Sequence, residues 1–361
     1  MKPKILGIEK SEILLNNLSK IISLKMDVIN IPNQNRSFFN CQGSIKFFKS
    51  RQTLKQLDEL LRIKPKYDLI LTSSWEGAKL AFFGGMKYII YFIGDDIRYP
   101  SLTKKINIDS KIAKKLKRRN ITNKEILKNA SGCVTGSDEL FKLLKKYRKD
   151  AYRIDRIVIT SDLKISKKRN HNLKNVKFTF FCPVRIGREK GTDLLWKSLN
   201  YCKTDFQIIQ INWIDKRNRK IKDESKQILK KIPKNVKLIK LVPHEKMGNY
   251  YSTADCIIGE MKTGHTSSIE REAAVFKKPI ISYSNPSMKA ILDGKKVTLP
   301  FLPKSNNPIE IAKVIDKIVE NKKFRTDLAN REYKFMKNLT DPYKTANEWQ
   351  IMINEIFKSQ C

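Results

Sequence analysis

Short apolar segments alternate with amphipathic segments along most of the chain. In the first half, apolar runs at 4–8, 67–74, 87–94 and 132–137 each precede a stretch with helical periodicity, such as 138–149. Apolar runs of strand length that alternate with helical patterns are typical of βαβ units, whose strands form parallel sheets. This half of the chain is therefore predicted to fold as a doubly wound α/β domain.

The alternation begins again after a polar stretch at 163–176, whose charged and aperiodic sequence is typical of a linker. A helical tail follows a further set of predicted strands, at 176–185, 205–213, 235–242, 255–260 and 278–284. We therefore predict two tandem Rossmann-like domains with doubly wound parallel sheets, at 1–165 and 166–340. Ligands of such sheets bind at the carboxyl ends of the strands, so we expect a site in a central cleft that both domains face.

The composition limits the class of protein. Of the 361 residues, 40% are hydrophobic, which is enough for two cores. No apolar run reaches the roughly 18 residues of a membrane span, and no signal-peptide pattern is present. The six cysteines are scattered without a C-x-x-C pair, which argues against a disulfide framework and a zinc site. We expect a cytoplasmic protein.

The chain is strongly basic, with 74 Lys and Arg against 36 Asp and Glu, a formal net charge of +38. Such a charge favours an anionic partner, but a lysine-rich composition on solvated helix faces is an equal alternative. The basic stretches 103–120 and 142–149 suit docking on an anionic membrane, although 215–234 in the other half is as basic. Nucleic acid is the less expected partner, since no helix-turn-helix, RNP-like motif or zinc knuckle is present.

Two basic residues flank a predicted helix entrance in CPVRIGREKGTDLL (182–195). Arg185 leaves the end of a strand and Lys190 precedes the helix, which Thr192 or Asp193 is positioned to cap. A guanidinium and an ammonium at this place suit a diphosphate. Basic residues are common throughout the chain, so a purely structural role is the alternative.

A second candidate segment lies before the strand at 278–284. Ser267 and Glu270 have the spacing of a capping box, which starts a helix at Ser267 and leaves its first N–H groups able to bind an anion. Glu272, about one turn into the helix, could accept hydrogen bonds from a pair of sugar hydroxyls. The alternative is a solvated glutamate favoured by the helix dipole. The chain has neither G-x-G-x-x-G nor a P-loop, so other nucleotide fingerprints are absent.

Together with VPHEKMGNYYSTAD (242–255), these segments resemble the C-terminal half of family 4 of the retaining, nucleotide-sugar-dependent glycosyltransferases, which have the GT-B fold. That family reads roughly G-R-x-x-x-x-K-G, then V-P-x-x-x-L-x-x-x-Y-x-x-A-D, then E-G-F-G-x-x-x-x-E-A-M-A-x-G-x-P-V. REKGTDLL, VPHEKMGNYYSTAD and EAAVFKKPII match in order and spacing. The N-terminal half resembles the family more loosely, with YFIGDDIRYP (91–100) in the place of H-G-S-D-L-R.

The resemblance implies a nucleotide-sugar donor. Glu272 matches the glutamate that binds the ribose, and Arg185 and Lys190 match the pair that holds the diphosphate. The backbone around Thr266 and the helix that begins at Ser267 would receive the same phosphates. The final segment, 341–361, would cross back onto the N-terminal domain.

The resemblance also places Gly94, Asp96 and Arg98 at the acceptor side. A glycan or a lipid-linked molecule is expected as acceptor, and the basic stretches named above would suit a cytoplasmic protein that contacts the inner face of the cell membrane. No protein nucleophile, metal or other cofactor is expected, and for the adjacent carboxylates Asp95 and Asp96 a turn role is expected over cation binding. No general base is evident. The candidate catalytic residues are Asp96 and His265, whereas His244 on a turn and His171 in the linker are set aside.

Three departures from the family bear on activity. Gly264 stands where the family has its first glutamate, Ile93 replaces the histidine of H-G-S-D, and Val184 replaces a glycine. The first two replaced groups contact the donor sugar in the family. An inactive descendant that retains nucleotide binding is therefore the alternative to a glycosyltransferase, and a sugar epimerase on the same fold is a remoter one.

Overall fold

The chain divides into two units, formed by Met1–Ile159 with Asp341–Cys361 and by Thr160–Thr340. A computed structural model describes residues 2–9, 14–32, 46–50, 52–98, 102, 105–107, 120–157, 163, 177–214, 219–292, 295–339 and 341–359. Apart from Leu163, the predicted linker 163–176 lies outside the described residues, as does His171.

The first unit is built on a parallel sheet, and a short antiparallel pair, β6 with β7, accompanies it. In the described part of the chain its strands are β1 (Ile5–Glu9), β2 (Met26–Asn30), β3 (Lys46–Phe47), β4 (Leu69–Thr72), β5 (Tyr88–Phe92), β6 (Lys105–Asn107), β7 (Asn120–Thr122), β8 (Gly132–Thr135) and β9 (Tyr152–Arg153). The parallel strands lie in the order β3-β2-β1-β4-β5-β8-β9, so the sheet is wound in both directions from β1. This confirms the doubly wound sheet predicted from the sequence.

Helices cover both faces of this sheet. They are α1 (Leu14–Ile21), α2 (Thr53–Ile63), α3 (Trp75–Phe83), α4 (Asp95–Arg98), α5 (Asn123–Asn129) and α6 (Asp138–Lys145). Side-chain oxygens of Ser74, Thr122 and Ser137 accept backbone N–H groups at the starts of α3, α5 and α6. Each of these helices therefore begins where a residue with a strong N-cap preference ends the preceding extended segment.

The second unit repeats the plan with a smaller sheet. Its described strands are β10 (Phe178–Cys182), β11 (Phe206–Ile211), β12 (Val236–Ile239), β13 (Cys256–Ile258), β14 (Ile280–Ile281), and the antiparallel pair β15 (Lys289–Leu292) and β16 (Lys295–Thr298). The parallel order is β12-β11-β10-β13-β14. The sequence did not predict the antiparallel pair.

The helices of the second unit are α7 (Thr192–Ser198), α8 (Arg219–Leu229), α9 (Met247–Thr253), α10 (Ser268–Val275), α11 (Pro308–Glu320) and α12 (Lys322–Leu339). Just after α10, Lys277 has a left-handed backbone with φ +51°, and its ammonium lies 5.1 Å from the centroid of the Tyr333 ring. Left-handed residues that follow a helix are most often glycine.

The last helix, α13 (Pro342–Lys358), packs in the first unit, as predicted. Trp349 is 2% exposed, its ring meets that of Tyr91 edge to face at 5.0 Å, and its indole N–H donates to the Asp155 carbonyl at 3.2 Å. The helix therefore contributes to the core of a unit whose other elements, β1 to β9 with α1 to α6, all precede the second unit in the sequence.

Among the described residues, no helix combines the length and apolar character needed to cross a bilayer. The described cysteines are free, namely Cys133, Cys182, Cys202 and Cys256. Burial raises the pKa of the Cys133 thiol to about 12. This cysteine is therefore a small apolar core residue, with a negligible thiolate fraction at neutral pH.

We expect Trp349→Ala to reduce the free energy of unfolding by about 3–5 kcal/mol, because it removes a fully buried ring and leaves a cavity. Chemical denaturation followed by circular dichroism measures this change. Ile351→Ala is the control on the same helix, since Ile351 is 50% exposed and its loss should cost about 0.5 kcal/mol or less. Equal effects of the two substitutions would contradict the packing of α13.

Glu332 on α12 provides a pH-dependent test. Its side chain is fully buried, its carboxylate accepts the Ile280 N–H at 2.9 Å, and burial raises its pKa well above the usual 4.5. A raised pKa in the folded state favours folding at low pH, and this contribution is lost as the pH rises from about 4.5 toward the raised pKa.

We therefore expect Glu332→Gln to raise the melting temperature at pH 7–8 by a few degrees, about 2–5 °C, and to have little effect near pH 4. Thermal melts across this pH range measure the difference. Glu320→Gln, on an exposed residue of α11, is the control. A destabilised Glu332→Gln variant at every pH would show that the carboxyl is needed for packing alone.

Candidate functional site

Two loops of the second unit meet at the carboxyl end of its sheet. β10 pairs directly with β13, with Phe181 opposite Ile257, and β11 lies on the other side of β10. We call residues 183–191, after β10, the Arg185 loop, and residues 259–267, after β13, the His265 loop. Since the strand order reverses at β10, these loops occupy the switch point where open α/β sheets bind ligands.

The two loops are joined by a salt bridge and a backbone hydrogen bond. Lys190 Nζ lies 2.6 Å from Glu260 Oε2, and the Met261 N–H donates to the Lys190 carbonyl at 3.0 Å. The Glu260 side chain is 5% exposed and that of Lys190 is 28% exposed. Sequence reasoning identified Lys190 but missed Glu260, its partner 70 positions away.

The Arg185 guanidinium lies over the ring of Trp213, 5.6 Å from its centroid. The Ile186 N–H donates to the Trp213 carbonyl at 2.7 Å, which ties the loop to the end of β11. Trp213 was not identified from the sequence as a site residue. The two side chains thus form a cation–π contact beside the carboxyl end of the sheet.

The expected cap of α7 by Thr192 or Asp193 is wrong. Gly191 is the N-cap residue, and no side chain caps this helix. The Thr192 hydroxyl instead accepts the Gly187 N–H and donates to the Arg185 carbonyl, both at 3.2 Å. Its hydrogen bonds close the Arg185 loop from within.

The predicted capping box at the start of α10 is confirmed. Ser267 is the N-cap, its hydroxyl accepts a backbone N–H of the first turn, and its own N–H donates to Glu270 at 2.6 Å. Glu270 is fully buried and also accepts from the Ser282 hydroxyl at 2.7 Å. At Gly259, a Cβ would lie 2.5 Å from Glu270 Oε1, so only glycine fits beside this carboxylate.

Glu272 is buried, so its interpretation as a solvated glutamate is wrong. Its side chain is 7% exposed, and its two oxygens each lie 2.9 Å from a protein group, His244 Nε2 and the Tyr251 hydroxyl. Since a carboxylate accepts, Nε2 of His244 carries a proton. Burial, together with the charge of Glu272, raises the pKa of Tyr251 well above its usual range, so this hydroxyl remains a donor.

His244 therefore belongs to the candidate site, although sequence reasoning set it aside. It begins a short 3₁₀ turn, His244–Lys246, that leads into α9. The position of a turn before a helix carries no information about the tertiary partner 28 residues later. The VPHEKM motif containing His244 was the available signal.

Gly264 has a backbone that a side chain fits poorly. Its φ is +75°, and a Cβ there would lie 2.5 Å from the Asn285 nitrogen. The neighbouring candidates His265 and Thr266 are half-buried in the same loop and both have interactions with the protein. The loop that leads into α10 is thus built around a glycine at the place of the family's first glutamate.

The acceptor-side candidates lie in the first unit, at the end of β5. The Asp96 carboxylate accepts the Gly94 N–H at 2.8 Å and the Ile93 N–H at 3.4 Å, and the Asp96 carbonyl accepts from the Trp75 indole. Asp96 therefore closes the turn into α4, as expected of one of two adjacent carboxylates. The side chains of Asp95 and Arg98 lie outside the described part of the structure.

In the part of the chain that the structure describes, a metal site would need several His, Cys, Asp or Glu side chains close together. No group of three or more His, Cys, Asp and Glu side chains in this part of the chain has an arrangement that could hold a metal ion.

Residues 164–335, which include the switch-point loops and α9 to α11, match the family described as glycosyl transferases group 1. No curated protein matches the chain in sequence.

Solved structures match over the whole chain. HepE of Anabaena in complex with UDP and glucose has a TM-score of 0.72 at 14% identity, over 98% of this chain and 100% of that one. Sucrose-phosphate synthase of Thermosynechococcus elongatus has 0.67 at 12%, over 99% and 100%. A glycosyltransferase of Rickettsia africae ESF-5 has 0.65 at 15%, over 99% of both chains. These likenesses show the two-domain fold that the sequence predicted.

We expect Gly264→Ala to destabilise the protein by about 1–3 kcal/mol, because alanine is strained at positive φ and its Cβ meets Asn285. Gly264→Glu should not restore the family's first glutamate and should be at least as unstable. Thermal melts measure both, with Thr263→Ala as the control in the same loop. A Gly264→Ala variant as stable as the wild type would show that the loop adapts freely.

Proposed function

Because residues 164–335 match the group 1 glycosyl transferases, we propose that this chain is a member of that family and transfers a sugar from a nucleotide-diphosphate sugar to a hydroxyl acceptor, with retention of configuration. The observation that carries this proposal is the contact, at the switch point of the second sheet, between the loop that contains Arg185 and Lys190 and the loop that leads into the N-terminus of α10. Two cations and a helix N-terminus at one place suit the phosphates of such a donor.

The same groups would assist the chemistry. When the bond between the sugar and the diphosphate breaks, negative charge grows on the departing nucleoside diphosphate. Preorganised cations and helix N–H groups stabilise that charge, and one such contact contributes about 3 kcal/mol. Because Trp213 holds Arg185 and Glu260 holds Lys190, both cations are in position before the donor arrives.

Glu272 would select the nucleoside. His244 and Tyr251 fix the orientation of its carboxylate, and each carboxylate oxygen can accept more than one hydrogen bond. The two hydroxyls of a ribose are suitable donors. UDP is the first nucleotide to test, since HepE, which shares the fold, was solved with UDP and with UDP-glucose.

The acceptor hydroxyl would attack the face that the leaving group vacates, without a protein nucleophile, a metal or another cofactor. We name no general base. His265 in the phosphate-side loop remains a catalytic candidate, and so does Asp96, although its carboxylate closes a turn.

A glycan or a lipid-linked acceptor is proposed, at the cytoplasmic face of the membrane. The basic stretch 142–149 supports this, since Lys142, Lys145, Lys146 and Lys149 are exposed beside Tyr147, which is 43% exposed. Lysines with an exposed aromatic ring suit an anionic membrane surface. Co-sedimentation with anionic vesicles but not with neutral ones would support the contact, and equal sedimentation with both would oppose it.

A nucleotide-binding protein without transferase activity is the second candidate. Gly264 favours it, because its backbone geometry leaves no room for a carboxylate that contacts the donor sugar in the related family. The two candidates share the nucleotide site and differ only in sugar transfer.

We expect UDP or another nucleoside diphosphate to bind the wild type, and Glu272→Gln and Arg185→Ala to weaken that binding by about 10-fold or more, since each removes a charge-assisted hydrogen bond. Isothermal titration calorimetry at two salt concentrations measures the affinity. Lys313→Ala is the charge control, because Lys313 is exposed on α11.

A transfer assay with a labelled sugar then separates the two candidates. Release of the labelled sugar to an acceptor supports the transferase, and tight binding without transfer supports the inactive descendant. If all polyanions bind alike, independently of Glu272 and with a steep salt dependence, both candidates fail.

A further inference from the structure

Glu260 is a buried carboxylate beside the proposed phosphate site, in a chain with a large excess of cations. It follows β13 directly, and its side chain lies 2.6 Å from Lys190 Nζ and is 5% exposed. Its backbone carbonyl accepts the Tyr283 N–H at 2.9 Å, so the residue is fixed from both ends. The polar partner of the Glu260 side chain is therefore the ammonium of Lys190.

The salt bridge leaves part of Lys190 available to a ligand. An ammonium has three N–H donors, and the contact with Glu260 Oε2 uses one of them. The side chain of Lys190 is 28% exposed, so it is partly accessible from solvent. A phosphate could therefore bind Lys190 without displacing Glu260.

The charge of Glu260 also acts on the ligand. Arg185 and Lys190 carry two positive charges, and Glu260 reduces their sum to one. A carboxylate a few ångströms from a diphosphate repels it, and this repulsion is strong where water is largely excluded. The site thus combines a fixed cation, Lys190, with a carboxylate whose repulsion of the diphosphate opposes tight binding.

We propose that Glu260 is a positioning residue that holds Lys190 for the diphosphate and weakens the affinity for the free nucleoside diphosphate, so that this product leaves after transfer. The proposal rests on the proposed function, because it concerns the same diphosphate site. It adds a residue that neither the sequence motifs nor the likeness to known structures assigns.

The conservative variant separates the two roles of Glu260. In Glu260→Gln, the amide oxygen can still accept from Lys190, so the position of the ammonium is retained while the negative charge is lost. We expect the affinity of this variant for UDP and for inorganic pyrophosphate to be at least about 5-fold higher than that of the wild type. Its affinity for UMP should increase less. A positive net charge that is larger by one also makes the salt dependence steeper.

Glu260→Ala removes the hydrogen bond as well and should bind UDP less tightly than Glu260→Gln. Asp255→Asn is the matched control, because Asp255 lies just before the same strand, at its opposite end, and its substitution removes the same charge. The Asp255 carboxylate accepts the Thr179 N–H, a bond that asparagine can also accept. This control should bind UDP as the wild type does.

Calorimetric titrations of the full chain with UDP, UMP and inorganic pyrophosphate, at two salt concentrations, test the proposal. Tighter binding of UDP and pyrophosphate by Glu260→Gln, with Asp255→Asn unchanged, supports it. Unchanged or weaker binding by Glu260→Gln, while the wild type binds UDP through Glu272, overturns the proposal and leaves the proposed function standing. If the wild type binds neither UDP nor pyrophosphate, the proposed function and this proposal both fail.

Discussion

The buried carboxylate of Glu270 fixes the geometry on which the candidate site depends. It receives hydrogen bonds from the backbone and hydroxyl of Ser267 and from the hydroxyl of Ser282, and it lies against Gly259. A fully buried charge is tolerated only when hydrogen-bond donors surround it, so the segments that supply these donors must stay together. The start of α10, the end of β13 and the segment after β14 therefore share one anchor. The orientation of the His265 loop, and with it the contact between Glu260 and Lys190, follows from that anchor.

Although the protein is strongly basic, most of its buried charged side chains are carboxylates. Among the described residues, the buried charged side chains are Glu9, Glu260, Glu270, Arg271, Glu272 and Glu332, and none is a lysine. Glu9 accepts backbone N–H groups at the start of α1, and Glu270 does the same at α10. The interior thus uses carboxylates to satisfy helix starts and to fix cations, while the lysine excess stays on the surface. This separation lets a large net charge coexist with an ordinary α/β core.

The features that could be predicted from the sequence are those that depend on residues close together in the chain. The period of the apolar residues predicted both parallel sheets, and Ser267 with Glu270 predicted the start of α10, because a capping box depends on residues three positions apart. The partners of Lys190 and Glu272 could not be predicted in the same way. Glu260 and His244 reach them only because β10 pairs with β13 and α9 packs beside α10, and such contacts depend on the tertiary fold. The resemblance to a family predicted which residues would face a ligand but not the groups that hold their side chains.

The left-handed backbone at Lys277 bears on the origin of the charge. A side chain in this conformation costs about 1 kcal/mol relative to glycine, and the cation–π contact with Tyr333 offsets only part of that cost. The related family has glycine at this place in its E-A-M-A-x-G-x-P-V motif. A lysine therefore stands where the backbone prefers glycine, just after α10. The ammonium of Lys277 is already engaged by an aromatic ring of its own unit, so this positive charge has a structural partner within the protein and is not in itself evidence for an anionic ligand.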